Sequence, residues 1–214
     1  MKKLLFGFAL LLGLSLVWLG FDDGTKKKAK VSEDYSWLKE GDILFQDMGG
    51  DFGEAIKLAT KSKFSHCGMV MKMGGEMMVY EAVGPVKFTS LKEWISHGTN
   101  KSFTVKRLID QKKLTTEVTD GWKKQARSYS GKAYDHVFGW SDDKIYCSEL
   151  VWKMYKNGMG TELSSPKKLK DFDLSHALVK QQLALRYGSN IPYEESVVSP
   201  QDLFDSKLLE EVKK

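Results

Sequence analysis

Two short apolar-rich runs separated by a pair of glycines stand out along the chain. Phe64-Ser65-His66-Cys67-Gly68-Met69-Val70-Met71 comes first, and Glu76-Met77-Met78-Val79-Tyr80-Glu81-Ala82-Val83 follows across Gly74-Gly75. Glycines tolerate the backbone of a tight turn, so the two runs are predicted to form a β-hairpin. Ile43-Leu44-Phe45 reads as a further strand, and Phe103 to Leu108 alternates like one. Elsewhere the spacing is helical. Gly53 to Thr60 predicts a short helix, and Ser90 to Ile95 another, capped by Ser90 with Glu93 three residues on. Thr116 to Tyr129 places Val118, Trp122 and Ala126 on one face and ends at Gly131. Cys147 to Asn157 carries Leu150, Val151, Met154 and Tyr155 at helical spacing and is expected to stop at Gly158. Leu163 to Tyr193 has mixed patterning around Pro166 and reads as an excursion lining a substrate groove; Ser199-Pro200 caps a last short helix, Gln201 to Ser206. Strands with hairpin-type links between helices give an α+β domain, a small antiparallel sheet packed by helices.

The first residues follow a different pattern. Met1-Lys2-Lys3 is a positive start, and Leu4 to Phe21 is apolar apart from Ser15. Residues 1–21 are therefore expected to be an export signal or an N-terminal membrane anchor, because no good small-x-small cleavage site follows and the run barely reaches bilayer length. Residues 22–34 are polar and charged, a linker carrying the cluster Lys26-Lys27-Lys28, and residues 35–214 form the folded domain. The 214 residues, 42% hydrophobic, suffice for one ordinary core. Thirty-three basic residues are offset by 28 acidic ones dispersed along the chain, for a net charge of +5. That modest balance argues against nucleic acid as a partner. An exported protein is expected in the periplasm or on the outer face of the membrane.

The candidate chemistry centres on Tyr146-Cys147-Ser148-Glu149, which puts a cysteine where a helix should begin. Unpaired N–H groups and the positive end of the helix dipole stabilise a thiolate there, and the same donors can hold a developing oxyanion. His66 is the candidate base, and the hairpin can bring Glu81 beside it. Thiolate, imidazole and an orienting carboxylate are the parts required for acyl transfer through a covalent intermediate. His136, near Cys147 in sequence and next to Asp135, is the competing base. His97, His136 and His176 lack the paired spacing of metal sites, so neither a metal nor a cofactor is expected.

The order His, Glu, Cys is the reverse of papain, and the sequence resembles the circularly permuted papain-like amidases of the YiiX/YebB-like group, relatives of the NlpC cell-wall hydrolases. The resemblance lies in Gly41 to Gln46, Phe64-Ser65-His66 with Gly68, Val79 to Val86, Trp140 to Val151, and Ser199 to Leu203. It implies the permuted papain-like fold, with Cys147 the nucleophile, His66 the base and Glu81 the orienting residue. It also implies amidase or peptidase activity, with peptidoglycan peptides the natural substrate of an envelope enzyme. Lipid deacylation or acyl transfer is the alternative that a membrane tether favours, and a non-catalytic envelope binding module is the alternative outside chemistry. Where the family has a plain apolar residue after the histidine, this chain has Cys67.

Two cysteines in an exported protein raise a disulfide as the competing reading. Strand alternation argues against it, because if His66 faces the cleft then Cys67 faces the core. Around the nucleophile, Asp142 and Asp143 are surface charges, helix caps or contacts for a substrate amine. Tyr146 is either core or a wall of the cleft.

Overall fold

The computed structural model describes residues 34–213, so the reading of residues 1–21 and nearly all of the linker lie outside the described residues. In chain order the strands are β1 (Ile43–Gln46), β2 (His66–Met73), β3 (Glu76–Ala82), β4 (Val86–Ser90), β5 (Thr104–Leu108), β6 (Ala133–Tyr134), β7 (Lys144–Ile145), β8 (Lys167–Lys168), β9 (Ser196–Val197) and β10 (Leu209–Glu211). The helices are α1 (Gly50–Thr60), α2 (Leu91–His97), α3 (Thr116–Tyr129), α4 (Cys147–Met159), α5 (Ala177–Tyr187) and α6 (Pro200–Phe204). Six strands form an antiparallel sheet in the order β10-β5-β1-β2-β3-β4. The predicted hairpin is its centre: Met73 pairs with Glu76 across Gly74 and Gly75, whose φ values of 59° and 93° only glycine adopts without strain.

Both faces of the sheet are covered, so β1 is buried along its whole length. Ile43, Phe45, Cys67, Met69, Met71 and Tyr80 pack under α3 and α4. Leu44, Val70, Val79 and Val105 point the other way, against Leu38 and Trp94. Helix α4 is tied to the sheet through Tyr155, whose hydroxyl donates to the Gly41 carbonyl at 2.5 Å. Next to that point Arg107 grips Asp42 through Nε and Nη2 with two hydrogen bonds of 2.6 Å, a side-on fork that fixes β5 against the entry to β1.

Several boundaries differ from expectation. Helix α1 starts at Gly50, earlier than Gly53, and α6 ends at Phe204, short of Ser206. Helix α4 runs past Gly158 to Met159 and stops at Gly160, which takes the left-handed C-cap conformation at φ 68°. Gly158 has a different task. A Cβ there would lie 2.2 Å from Cδ1 of Trp122, the buried tryptophan of α3 whose indole donates to the Met154 carbonyl at 2.8 Å. The stretch from Leu163 to Tyr193 is not featureless: β8 pairs with β9, and α5 packs on α1 around an apolar cluster containing Ala55, Tyr146, Leu169, Val179 and Leu183.

The α3–α4 contact generates a paired test. Gly158→Ala should destabilise the domain by about 1–3 kcal/mol, because overpacking against a fixed indole outweighs alanine's helix preference. Gly121, in α3, has only the Gly158 carbonyl at 3.6 Å from its would-be Cβ. Gly121→Ala should therefore be neutral or stabilise by up to about 1 kcal/mol. Urea midpoints that move in the same direction for both variants would contradict this packing account.

Candidate active site

Cys147 is the first residue of α4, following Tyr146 in extended conformation at the N-cap. The helix start is fixed by Glu149, whose carboxylate accepts the Tyr146 N–H at 3.2 Å while pairing with Lys153 at 2.7 Å. His66 opens β2, and Glu81 lies near the end of β3 on the same face. His66 Nε2 meets Glu81 Oε2 at 2.7 Å, which leaves Nδ1 as the ring nitrogen for Cys147. Gly68 makes this reach possible, since a Cβ there would stand 2.5 Å from Val79 Cγ1 and 3.3 Å from the Glu81 Cβ. The other Glu81 oxygen accepts from the Thr89 hydroxyl of β4 at 2.5 Å. Sequence reading missed Thr89, which nothing but the β3–β4 register connects to the site.

The electrostatics follow from these contacts. Hydrogen bonding from the Cys67 thiol is the largest pull on Cys147; it outweighs burial and, with the His66 ring and its charge, holds the Cys147 thiol well below its ordinary range. Burial alone would push His66 down, yet hydrogen bonds to Cys147 and Glu81 carry it up to about 10. Burial likewise opposes ionisation of Glu81, but the His66 bond and charge, with Thr89, bring it below the usual carboxylate value. These contacts all favour the thiolate, imidazolium and carboxylate forms. Such an arrangement can attack a carbonyl and then protonate a leaving group.

Cys67 is placed as alternation requires, fully buried on the α4 face. That face also holds the Cys147 sulfur, so the residue expected to turn away from the site touches it. Both cysteines are free thiols in the structure, and burial followed by the neighbouring Cys147 raises the Cys67 thiol well above its ordinary value.

Tyr134 is a second residue that sequence reading missed. The short parallel pairing of β6 with β7 sets Tyr134 beside Ile145, and its phenol hydrogen-bonds Cys147. Burial first, and then the charge on Cys147, push that phenol well above its usual range, so it remains a donor. Tyr146 is both of the things expected of it: its ring is buried and lines the cavity at Cys147, and its hydroxyl accepts the Val198 N–H at 3.1 Å. Asp142 instead binds the Lys153 ammonium at 2.6 Å, and Asp143 is exposed; neither lines the cavity. His136 is exposed, with its ring against Tyr134.

A cavity of about 80 Å³ includes Cys147 in its wall. Its lining is carbon-rich, with Phe52, Phe138, Leu169, Phe172 and Leu183 prominent. Residues between Leu163 and Tyr193 thus supply much of the wall.

The sequence matches the family of permuted papain-like amidase enzymes, YaeF/YiiX, C92, over residues 37–213. The chain belongs to that family. It is therefore a papain-like cysteine hydrolase by descent, with the α+β permuted fold that its sheet and helices display. Uncharacterized protein YiiX of Escherichia coli strain K12 is 45% identical over 181 residues, covering 84% of this chain and 89% of that protein. The crystal structure of YiiX from Escherichia coli O157:H7, described as a metalloprotein, superimposes with a TM-score of 0.78 at 47% identity, covering 82% of this chain and 97% of that one. Among the described residues here, no three His, Cys, Asp or Glu side chains are grouped so as to hold a metal ion.

The thiol contacts make alkylation informative. Iodoacetamide should label Cys147 at a rate nearly constant between about pH 6 and 8, because its thiolate is already formed, while Cys67 labels slowly. Cys67→Ala should shift the Cys147 profile towards higher pH. An unchanged profile in that variant would show that the Cys67 thiol is not what holds the charge.

Proposed function

We propose that the protein is an exported cysteine amidase in which Cys147, His66 and Glu81 act as one catalytic unit on envelope molecules with an apolar acyl part. The observation that carries this reading is a single imidazole bonded at once to Glu81, at 2.7 Å, and to Cys147, in the wall of an apolar cavity. The thiolate attacks the carbonyl carbon, and the oxyanion that develops accepts from the Cys147 N–H at the helix start and from the Tyr134 phenol. The carbon–nitrogen bond breaks as the His66 imidazolium gives its proton to the departing amine. Water then loses a proton to His66, attacks the thioester, and releases the acid and the Cys147 thiolate. Glu81 holds the ring and answers its positive charge throughout.

Muropeptides are polar, and the carbon-rich lining favours amides or esters of apolar acids over them. That makes lipid deacylation the second reading, since an ester passes through the same tetrahedral intermediate. Export rests on the positive start and the apolar run from Leu4 to Phe21. A binding module with an idle Cys147 would hydrolyse none of these substrates.

Activity on N-acyl amides, fatty-acyl esters and muropeptides, read by mass spectrometry, is the direct test. Cys147→Ala should lower turnover by roughly 1,000-fold or more while the protein stays folded. His66→Ala should cost nearly as much and add little to Cys147→Ala, since the two work as a unit. Glu81→Gln should cost less, about ten- to a hundredfold, because its carboxamide oxygen can still accept from the ring. Independent multiplication of the Cys147→Ala and His66→Ala losses would separate the two residues.

The same electrostatics set the pH profile. Turnover should rise at acid pH as Cys147 deprotonates, well below ordinary thiol values, and fall in alkali as the His66 imidazolium loses its proton near about 10. An activity plateau through neutrality is expected, and an alkaline rise centred on the ordinary thiol value of about 8.5 would contradict the ion-pair ground state.

A further inference from the structure

Cys67 touches the nucleophile, yet it exchanges neither a proton nor a bond in the proposed hydrolysis. It is fully buried in β2, in the same apolar cluster as Cys147. Register sets it opposite Phe45 of β1, on the sheet face that α4 covers. Two contacts then tie it to the nucleophile: its thiol and its main-chain N–H both hydrogen-bond the Cys147 sulfur. That sulfur therefore lies against both the backbone and the side chain of Cys67, and both residues are free thiols.

The two sulfurs are not equivalent. Cys147 forms part of the cavity wall, whereas Cys67 does not line the cavity and sits behind it. The cavity has room for a small molecule such as hydrogen peroxide. An oxidant entering there meets Cys147 first, and a thiolate held by several donors is the form of sulfur that hydroperoxides oxidise. Packing alone does not call for a thiol at position 67, since another small apolar side chain would fill the space. What sets the thiol apart is that sulfur faces sulfur.

We propose that Cys67 is a resolving cysteine: when a hydroperoxide oxidises Cys147, Cys67 captures the oxidised sulfur as a Cys67–Cys147 disulfide and so closes the site reversibly. In the first step the Cys147 thiolate attacks a peroxide oxygen and the O–O bond breaks. The sulfur gives up two electrons and becomes a sulfenic acid, while the departing alkoxide or hydroxide takes the proton of the His66 imidazolium. In the second step the Cys67 sulfur attacks the sulfenic sulfur. The S–O bond breaks, the S–S bond forms, and the Cys67 proton leaves with the hydroxyl as water. Capture at this stage keeps Cys147 from reaching the sulfinic acid, which thiols do not reduce. The inference goes beyond the amidase reading and shares with it only the Cys147 thiolate.

The test treats the full, reduced wild-type chain with excess hydrogen peroxide at about pH 9, above the ordinary thiol value of about 8.5, so that Cys147 is ionised in every variant. Iodoacetamide labelling of Cys147 should fall about tenfold or more and return with dithiothreitol. Peptide mapping of the unreduced protein should find Cys67 and Cys147 joined within one chain. Cys67→Ala should lose the label as well, but as a sulfinic acid that dithiothreitol does not restore. Dimedone added with the peroxide should trap the sulfenic acid in that variant about tenfold more than in the wild type. Sulfinic acid at Cys147 in the wild type with Cys67 still a free thiol, or a bridge formed only between two chains, would overturn the proposal. A Cys147 that iodoacetamide labels and peroxide leaves untouched would overturn it with the nucleophile assignment intact. A Cys147 inert to both reagents would overturn it together with the amidase reading. The wild-type mapping decides the matter even if the variant fails to fold.

Discussion

A sulfur anion is tolerated in a protein interior only if its charge is met within hydrogen-bonding distance, and Cys147 is 3% exposed. Three elements answer it. The start of α4 offers unpaired N–H groups, β2 offers His66 and the Cys67 thiol, and β6 offers the Tyr134 phenol. The imidazolium formed in turn requires a carboxylate, which β3 supplies as Glu81 and β4 steadies through Thr89. The chain of contacts thus runs across three adjacent strands of the sheet and one helix packed on it. Removing His66 or Glu81 would leave a charge uncompensated in the core.

This dependence explains features that otherwise read as unrelated packing. A side chain at Gly68, between His66 and the facing strand that carries Glu81, would meet Val79 Cγ1 at 2.5 Å, so glycine lets β2 and β3 approach as they do. Tyr155 anchors α4 to the Gly41 carbonyl, and Trp122 beds into the notch at Gly158, so the helix cannot slide along the sheet. A shift of one ångström at the helix start would break the ion pair. Rigid placement of the α4 N-terminus is therefore the condition under which the thiolate exists at all.

The hairpin, the two long helices and the pair His66 and Glu81 were legible because each rests on local spacing: two glycines fix a register, and register fixes which side chains share a face. Cys147 was legible because a helix start has its own chemistry. Tyr134 and Thr89 were not, since they reach the site through β6–β7 pairing and the β3–β4 register, which no local pattern marks. Helix α5 was hidden for another reason. It is weakly amphipathic, with Leu185 exposed and Val179 and Leu183 buried, because one of its sides lines a cavity instead of meeting a packed neighbour. Gly158 misled as a helix stop, since glycine marks close approach as readily as an ending. Cys67 shows the limit of alternation: it names the face a side chain takes, but not what the next element brings to that face.

The distribution of polarity around the sulfur bears on what the site can turn over. On one side the ion pair and its carboxylate are sealed among buried residues, including Trp94, whose ring centroid lies 6.1 Å from that of His66. On the other side lies a carbon-walled cavity. Water held in such a cavity has few partners, so an apolar acyl group displaces it at little cost, whereas a polar peptide would lose hydrogen bonds that the walls cannot replace. In the proposed reaction, displacement of water would also strengthen the interaction of the developing oxyanion with the Tyr134 phenol and the α4 N–H groups, because the local dielectric would fall as the chain entered. Apolar contact remote from the carbonyl would thereby be converted into stabilisation of the charge that forms there.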